Sequence, residues 1–331
     1  MRLENFLALT HTSLVNEPCV NGFENVVFEA SNVKRGDLFF AFDETDVDIA
    51  ILNGAYGIVF DKPTQMSDRE IAWIKSQNLY DTLKKLLRFK MIEKEVVVYE
   101  CNEIILKLAL QVITQTNFLI INGNMKSIYK SMENMEQRTT LLFCPALNNR
   151  DIFANAKKMP ATNKQTIEII EQTLFETSFI YDNTYYERQL ISPFFIPYLE
   201  ELLYLYKSLK INFRLKKFIP INHFEPVFTN KKFEIKNFGA SDKVLIFEPN
   251  AELIESEMRF LQSRASWANI IFIIPQSSTC RDDENVFRYE KENEIIQILK
   301  RSSFNFALII GIDKSILEKP IVHQVQLTLD F

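Results

Sequence analysis

The sequence predicts an α/β chain, and three stretches carry that prediction. Phe118 to Tyr129, FLIINGNMKSIY, runs from a short apolar strand through a turn into a helix that opens on Lys126 and Ser127. Residues 31 to 60 hold a turn, a strand, a short helix and a second strand. In the last third, apolar strands alternate with helical segments, the pattern of a small parallel sheet covered by helices. With 331 residues the chain is long enough for two or three domains.

Composition narrows the function classes. Hydrophobic residues make up 47% and charged residues 24%, which fits a globular chain with a real core. The net charge of -5 and the lack of a strongly basic segment speak against nucleic acid as the main partner, since a phosphate backbone must be neutralised by Lys and Arg. Lys216-Lys217 and Lys231-Lys232 read as solvated faces. The cysteines Cys19, Cys101, Cys144 and Cys280 are scattered, with no C-x-x-C pair, and His11, His223 and His323 lack ligand spacing, so no metal site is expected. The segment Met1 to Ala8 carries Glu4 and lacks the apolar core of a signal peptide, and no stretch approaches the ~20 apolar residues of a membrane span. A cytoplasmic protein in a reducing compartment is expected. Glycine is scarce: seven in 331 residues, about 2%, against a usual ~7%. Loops that wrap nucleotides use glycine for close backbone approach, so several such loops are not expected.

In the first segment, SNVKRGDLFFAF (31 to 42) places a turn at Lys34 to Asp37 ahead of an alternately buried strand. Ile49 to Asn53 reads as a short helix capped by Gly54, and Tyr56 to Phe60 as a second strand. The residues Ser31, Val33, Gly36, Asp37, Leu38, Phe39 and Ala41, followed by Asn53, Gly54 and Ala55, resemble the paired motifs of the N-terminal, UDP-binding domain of the Mur ligases. In that family the hydroxyl at the Ser31 position helps to hold uridine diphosphate. Ala30 and Asn32 depart from the family's Asp and Arg, and the glycine-rich loop that follows the strand is cut to Asp43 to Asp48. Two readings stay open: a retained UDP site at Ser31, and a motif kept because it makes a compact strand and turn. Val96 to Ala109 resembles the strand and helix that close this domain.

The layout strand, loop, Lys-Ser, helix is that of a phosphate-binding loop, in which glycines let backbone amides curl round phosphate, the lysine reaches the terminal phosphates and the hydroxyl binds the metal. Against the family's T-G-T-N-G-K-T/S, Asn124, Lys126 and Ser127 match. Gly123 is the single glycine, Asn122 and Met125 replacing both glycines that the family uses. The resemblance therefore implies a vestigial nucleotide site at Gly123, Asn124, Lys126 and Ser127; an ordinary strand-to-helix turn is the other reading. Downstream, Ser192 to Leu209 resembles the helix that closes the family's ATPase domain, with an apolar face of Leu199, Leu202, Leu203, Tyr206 and Leu209. The family uses more than twice the span found here between Lys126 and Ser192, and places its magnesium ligands within it. Glu168, Glu171 and Glu176 read as the polar face of a helix, not as their counterparts. The Tyr198 to Tyr206 segment reads as a buried amphipathic helix, with a partner surface as the alternative.

In the last third, Lys243 to Phe247, Ile270 to Ile274 and Phe306 to Ile310 read as strands, and Ala251 to Gln262 and Glu292 to Lys300 as helices. Their order resembles the C-terminal domain of Mur ligases of the MurF type. Asn250, Ala251, Gly311 and Glu318 keep places in its motifs, while the paired acids and the Ser-Arg pair are replaced. Asn250 and Gly311 are expected to be turn residues.

The resemblance implies a three-domain Mur-ligase-like α/β architecture. Residues 1–116 would form the UDP-binding-type domain, 117–222 a reduced central domain of ATPase ancestry, and 223–331 a Rossmann-like C-terminal domain. It implies a degenerate bacterial protein of peptidoglycan precursor synthesis, a non-catalytic scaffold or regulator with no catalytic residues, no metal and no cofactor, partnered by another cell-wall synthesis protein. The alternatives are an active divergent ligase using ATP and Mg, with Lys126 and Ser127 on the nucleotide, and a UDP-sugar-binding sensor.

Overall fold

The computed structural model describes residues 1–147, 150–162, 164–237, 239–280 and 283–317. Glu318 and His323 lie outside them. The chain divides into two compact units, one of Met1–Leu106 with Thr114–Met159, the other of Lys107–Ile113 with the chain from Pro160 onward.

The first unit contains a five-stranded sheet in the order Ser13–Leu14, Ala72–Lys75, Gly57–Phe60, Leu38–Phe40, Val26–Val27, parallel except at its first strand. The strand after the Lys34 to Asp37 turn is buried at every residue rather than alternately, because a central parallel strand is covered on both faces. The helix Val47–Leu52 ends at Asn53, and Gly54 follows with φ of 95°. Here the two-part motif has a structural account. The Gly36 amide, itself at φ of 99°, donates to the Gly54 carbonyl at 3.1 Å, and Asn53 Nδ2 donates to the Ala30 carbonyl at 2.9 Å. The Tyr56 amide donates to the Asp37 carbonyl at 2.8 Å, while buried Asp37 accepts from Asn25 Nδ2 and from the Lys34 amide. A Cβ on Gly54 would meet the Arg35 Cα at 3.1 Å. The two halves of the motif are thus bonded to each other.

A second sheet of the same unit has the order Lys157–Lys158, Val97–Glu100, Thr140–Phe143, Phe118–Ile121, all parallel. Its strands come from both sides of residue 116. One apolar cluster joins Phe6, Phe40 and Leu83 to Val98, Ile121, Ile128, Leu141 and Phe143. Residues 117 to 159 share a core with the N-terminal segment, and residues 160 to 222 fall in the same compact unit as the C-terminal one.

In the second unit, the stretch expected as a helix around Glu168 and Glu171 is a strand. Glu168–Gln172, Thr177–Tyr181 and Thr184–Gln189 form an antiparallel sheet. Two turns make it so. Thr173 Oγ1 accepts from the amides of Phe175 and Glu176, and Asp182 and Asn183 both sit at positive φ, 50° and 59°, the geometry of a two-residue hairpin. The helix Ile196–Ser208 follows a one-turn 3₁₀ start capped by Ser192 Oγ, and buries Leu199, Leu202, Leu203 and Tyr206. The reading of its tyrosines as part of a buried helix holds for Tyr206; Tyr204 faces solvent.

The last sheet has the order Glu225–Thr229, Lys243–Glu248, Phe306–Ile310, Ile270–Pro275, Val286–Tyr289, with only the first strand antiparallel. Helices Ile254–Arg264 and Glu292–Arg301 make its crossovers. Gly311, at φ of 87°, passes Pro275 Cγ and Tyr289 Oη so closely that a Cβ would lie 2.9 Å from each. Asn250 Oδ1 accepts from the Glu252 amide. Both are turn residues, as expected.

Gly54→Ala places a side chain at positive φ beside a backbone atom and is expected to destabilise the chain by about 1–3 kcal/mol in denaturant unfolding.

Candidate functional site

The segment expected to carry a nucleotide remnant lies between the strand Phe118–Ile121 and the helix Met125–Ser131. Gly123 takes φ of 95°, and Asn124 caps the helix, its Oδ1 accepting from the Ser127 amide at 3.0 Å and from Ser127 Oγ at 3.2 Å. Met125, the residue in the glycine position, packs against the apolar cluster of the first unit. Lys126 Nζ rests 3.9 Å from the centre of the Phe42 ring. Such a contact contributes about 0.5–1 kcal/mol at an exposed site. The geometry gathers Gly123, Asn124, Lys126 and Ser127 into one turn, but the serine amide and hydroxyl serve the cap and the lysine serves an aromatic face. Ser31 lies, exposed, on a different element of this unit, the 3₁₀ turn Ala30–Asn32. Beside it Glu29 pairs with Lys130 at 2.9 Å, and Lys130 holds the Glu29 carboxyl below its usual range.

Sequence reasoning missed the polar centre of the second unit. Glu248 ends the strand Lys243–Glu248 and is fully buried. Its Oε1 lies 2.7 Å from His223 Nδ1 and accepts from the Asn250 amide at 2.7 Å, while Oε2 accepts from the Phe224 amide at 3.0 Å. His223 Nε2 lies 3.0 Å from Lys107 Nζ. An ammonium can only donate, so the imidazole accepts at Nε2 and carries its proton on Nδ1, toward the carboxylate. The row is therefore lysine, histidine, glutamate, in hydrogen-bonded sequence. Glu257, from the helix Ile254–Arg264, is also fully buried beside Glu248. Neither of its oxygens meets an N–H or O–H donor among the described residues. Burial first, and then the charge of Glu248, raise its pKa well above the ordinary glutamate value. The site thus favours the protonated form of Glu257 beside the Glu248 carboxylate. Tyr198 stands near enough to feel Glu201, Glu257 and Glu248, and with burial as the larger cause its phenol is also pushed up; burial raises Glu201. A histidine flanked by nothing recognisable in sequence gave no signal. The one available signal was an acid, Glu248, at the end of an apolar strand.

His223 also lines a cavity of about 270 Å³. Its walls include Phe175, Phe195, Phe224 and Phe228, with Ser192, Glu176 and Glu225 as polar groups. Among the described residues no group of three or more His, Cys, Asp or Glu side chains is arranged to hold a metal ion.

No protein-family model matches the chain, and no curated protein matches it in sequence. Solved structures do resemble it. MurF from Acinetobacter baumannii aligns with a TM-score of 0.53 at 9% identity, covering 93% of this chain and 95% of that one. The MurF ligase from Thermotoga maritima, solved in complex with ADP, aligns with a TM-score of 0.50 at 11% identity, covering 89% and 95%. The chain has a MurF-like fold, mixed α/β with parallel sheets.

Replacing Glu257 by glutamine fixes its neutral state. In the wild type both folded and unfolded chains hold the proton below the ordinary glutamate pKa. Above it the unfolded chain releases the proton first, so Glu257 takes stability away as pH rises toward its raised folded value. Glu257→Gln is expected to match the wild type near pH 4 and to exceed it in stability at pH 8, with a flatter pH profile in urea unfolding.

Proposed function

We propose that this chain is a MurF-like protein of peptidoglycan precursor synthesis that acts without ligase chemistry, as a scaffold or regulator for another cell-wall synthesis protein. The fold supplies the link to the precursor pathway: the structures it resembles are MurF ligases. The observation that carries the rest is the state of the Lys126 turn. A phosphate-binding loop presents free amides and a free lysine to its ligand. Here Met125 packs, partly buried, against the apolar cluster, the Ser127 amide is capped by Asn124, and Lys126 is seated on Phe42. Formation of an acyl phosphate needs charge stabilisation on the transferred group, and a turn occupied in this way favours a structural role.

The same reasoning covers Ser31. The motif around it is accounted for by the bonds from Gly36 to Gly54 and from Asn53 to Ala30, which join its two halves. Retention of the motif thus supports inherited architecture rather than a uridine diphosphate site. No helix among the described residues is long and apolar enough to cross a membrane.

Isothermal titration of the full chain with magnesium-ATP, and separately with UDP-muramyl tripeptide, checks this reading. Binding of neither is the expected outcome, with no turnover when D-alanyl-D-alanine is added to both. ATP-dependent formation of the amide bond would overturn the proposal, and a second titration with Lys126→Ala would then show whether the turn carries the nucleotide. Saturable UDP-sugar binding that is lost in Ser31→Ala would replace it with a sensor.

A further inference from the structure

The cavity of the second unit has a chemical character independent of the function proposed above. Its aromatic walls include the rings of Phe175, Phe224 and Phe228; Phe175 stands 5.8 Å from Phe224 and 6.0 Å, edge to face, from Phe228. Ring faces carry negative quadrupole density and attract cations. Two carboxylates, Glu176 and Glu225, line the same space, and no lysine or arginine does among the described residues. Each acid has a basic partner that stands in water: Arg188, 3.5 Å from Glu176 and 69% exposed, and Lys314, 2.8 Å from Glu225 and 54% exposed. The acids themselves are only 29% and 16% exposed. Exposed cations of this kind give up their partners at little cost.

His223 contributes no open nitrogen, since Glu248 and Lys107 take one each. The polar groups on the wall are therefore acids and hydroxyls set among rings. An anion entering here would meet two carboxylates. A neutral hydrocarbon would fill the space and leave the acids unused. A cation on an apolar body satisfies both the rings and the acids. At about 270 Å³ the space falls just below the ~300–1,000 Å³ of sites for drug-sized ligands, so its occupant is one ring or short chain with a single charged arm.

We propose that this cavity binds a small organic ammonium, its apolar body against Phe175, Phe224 and Phe228 and its charged nitrogen at Glu225 and Glu176. The site is assigned by ligand chemistry alone and stands whether or not the chain retains ligase activity.

The test is a charge series of near-equal shape. The full chain is titrated with 2-phenylethylammonium, with 3-phenylpropionate and with ethylbenzene, followed by NMR of the protein. The ammonium is expected to bind best, to weaken with added salt, and to lose about tenfold in affinity in Glu225→Gln and in Glu176→Gln, while ethylbenzene binding stays unchanged in both. Glutamine keeps the shape of glutamate, and unchanged near-ultraviolet circular dichroism establishes that each variant is folded. Leu190→Trp fills the cavity and is expected to abolish ammonium binding. The proposal is overturned if the carboxylate binds as tightly as the ammonium, if the ammonium shows no saturable binding, if both glutamine variants keep wild-type affinity, or if Leu190→Trp still binds.

Discussion

Three donors converge on one buried carboxylate, and the second unit is arranged around that fact. Glu248 accepts from the His223 ring and from the Phe224 and Asn250 amides. These donors belong to two separate segments, the approach to the antiparallel edge strand and the turn leaving its neighbour, Lys243–Glu248. A buried charge without such donors costs several kcal/mol or more. With them, the charge fixes the position of both segments at the end of the sheet. It also sets the tautomer of His223 and so the direction in which Lys107 donates. Phe224, held by its amide, presents its ring to Phe194, Phe175 and Phe260. The polar centre and the aromatic wall of the cavity are parts of one arrangement.

Much of the fold was legible in the sequence because it depends on local signals. The strand Phe118–Ile121 and the strand Phe306–Ile310 fall where their apolar runs place them, and the helix near Val47 stops at the glycine that can take a positive φ. In the antiparallel sheet from Glu168 to Gln189, the acids Glu168, Glu171 and Glu176 were misread as the polar face of a helix. Its strand Glu168–Gln172 is exposed at every residue and carries a bulge, so it lacks the two-residue alternation that marks a half-buried strand. The Asp182-Asn183 turn was the better guide. Which strands share a sheet is decided by long-range pairing, and a strand such as Val97–Glu100 has no local feature naming its neighbour.

The sites divide along the same line. Gly123, Asn124, Lys126 and Ser127 were legible as one turn because they are contiguous, and the structure does assemble them. What sequence could not give was the partner of Lys126, since Phe42 lies on another element of the unit. Ser31 was legible as part of a motif, but the reason for the motif lies in bonds between its halves. Lys107, His223 and Glu257 carried no local signal, and Glu248 only that of an acid closing an apolar strand, because the contacts that join them belong to the packed chain.

The proton on Glu257 ties the second unit to its solvent. Between the ordinary glutamate pKa and the raised value in the fold, the unfolded chain carries a charge there and the folded chain does not. Folding in that range draws a proton from the buffer. The heat released on folding then includes the ionisation enthalpy of whichever buffer gave it up, so two calorimetric experiments in different buffers at one pH would return different enthalpies for the same set of contacts.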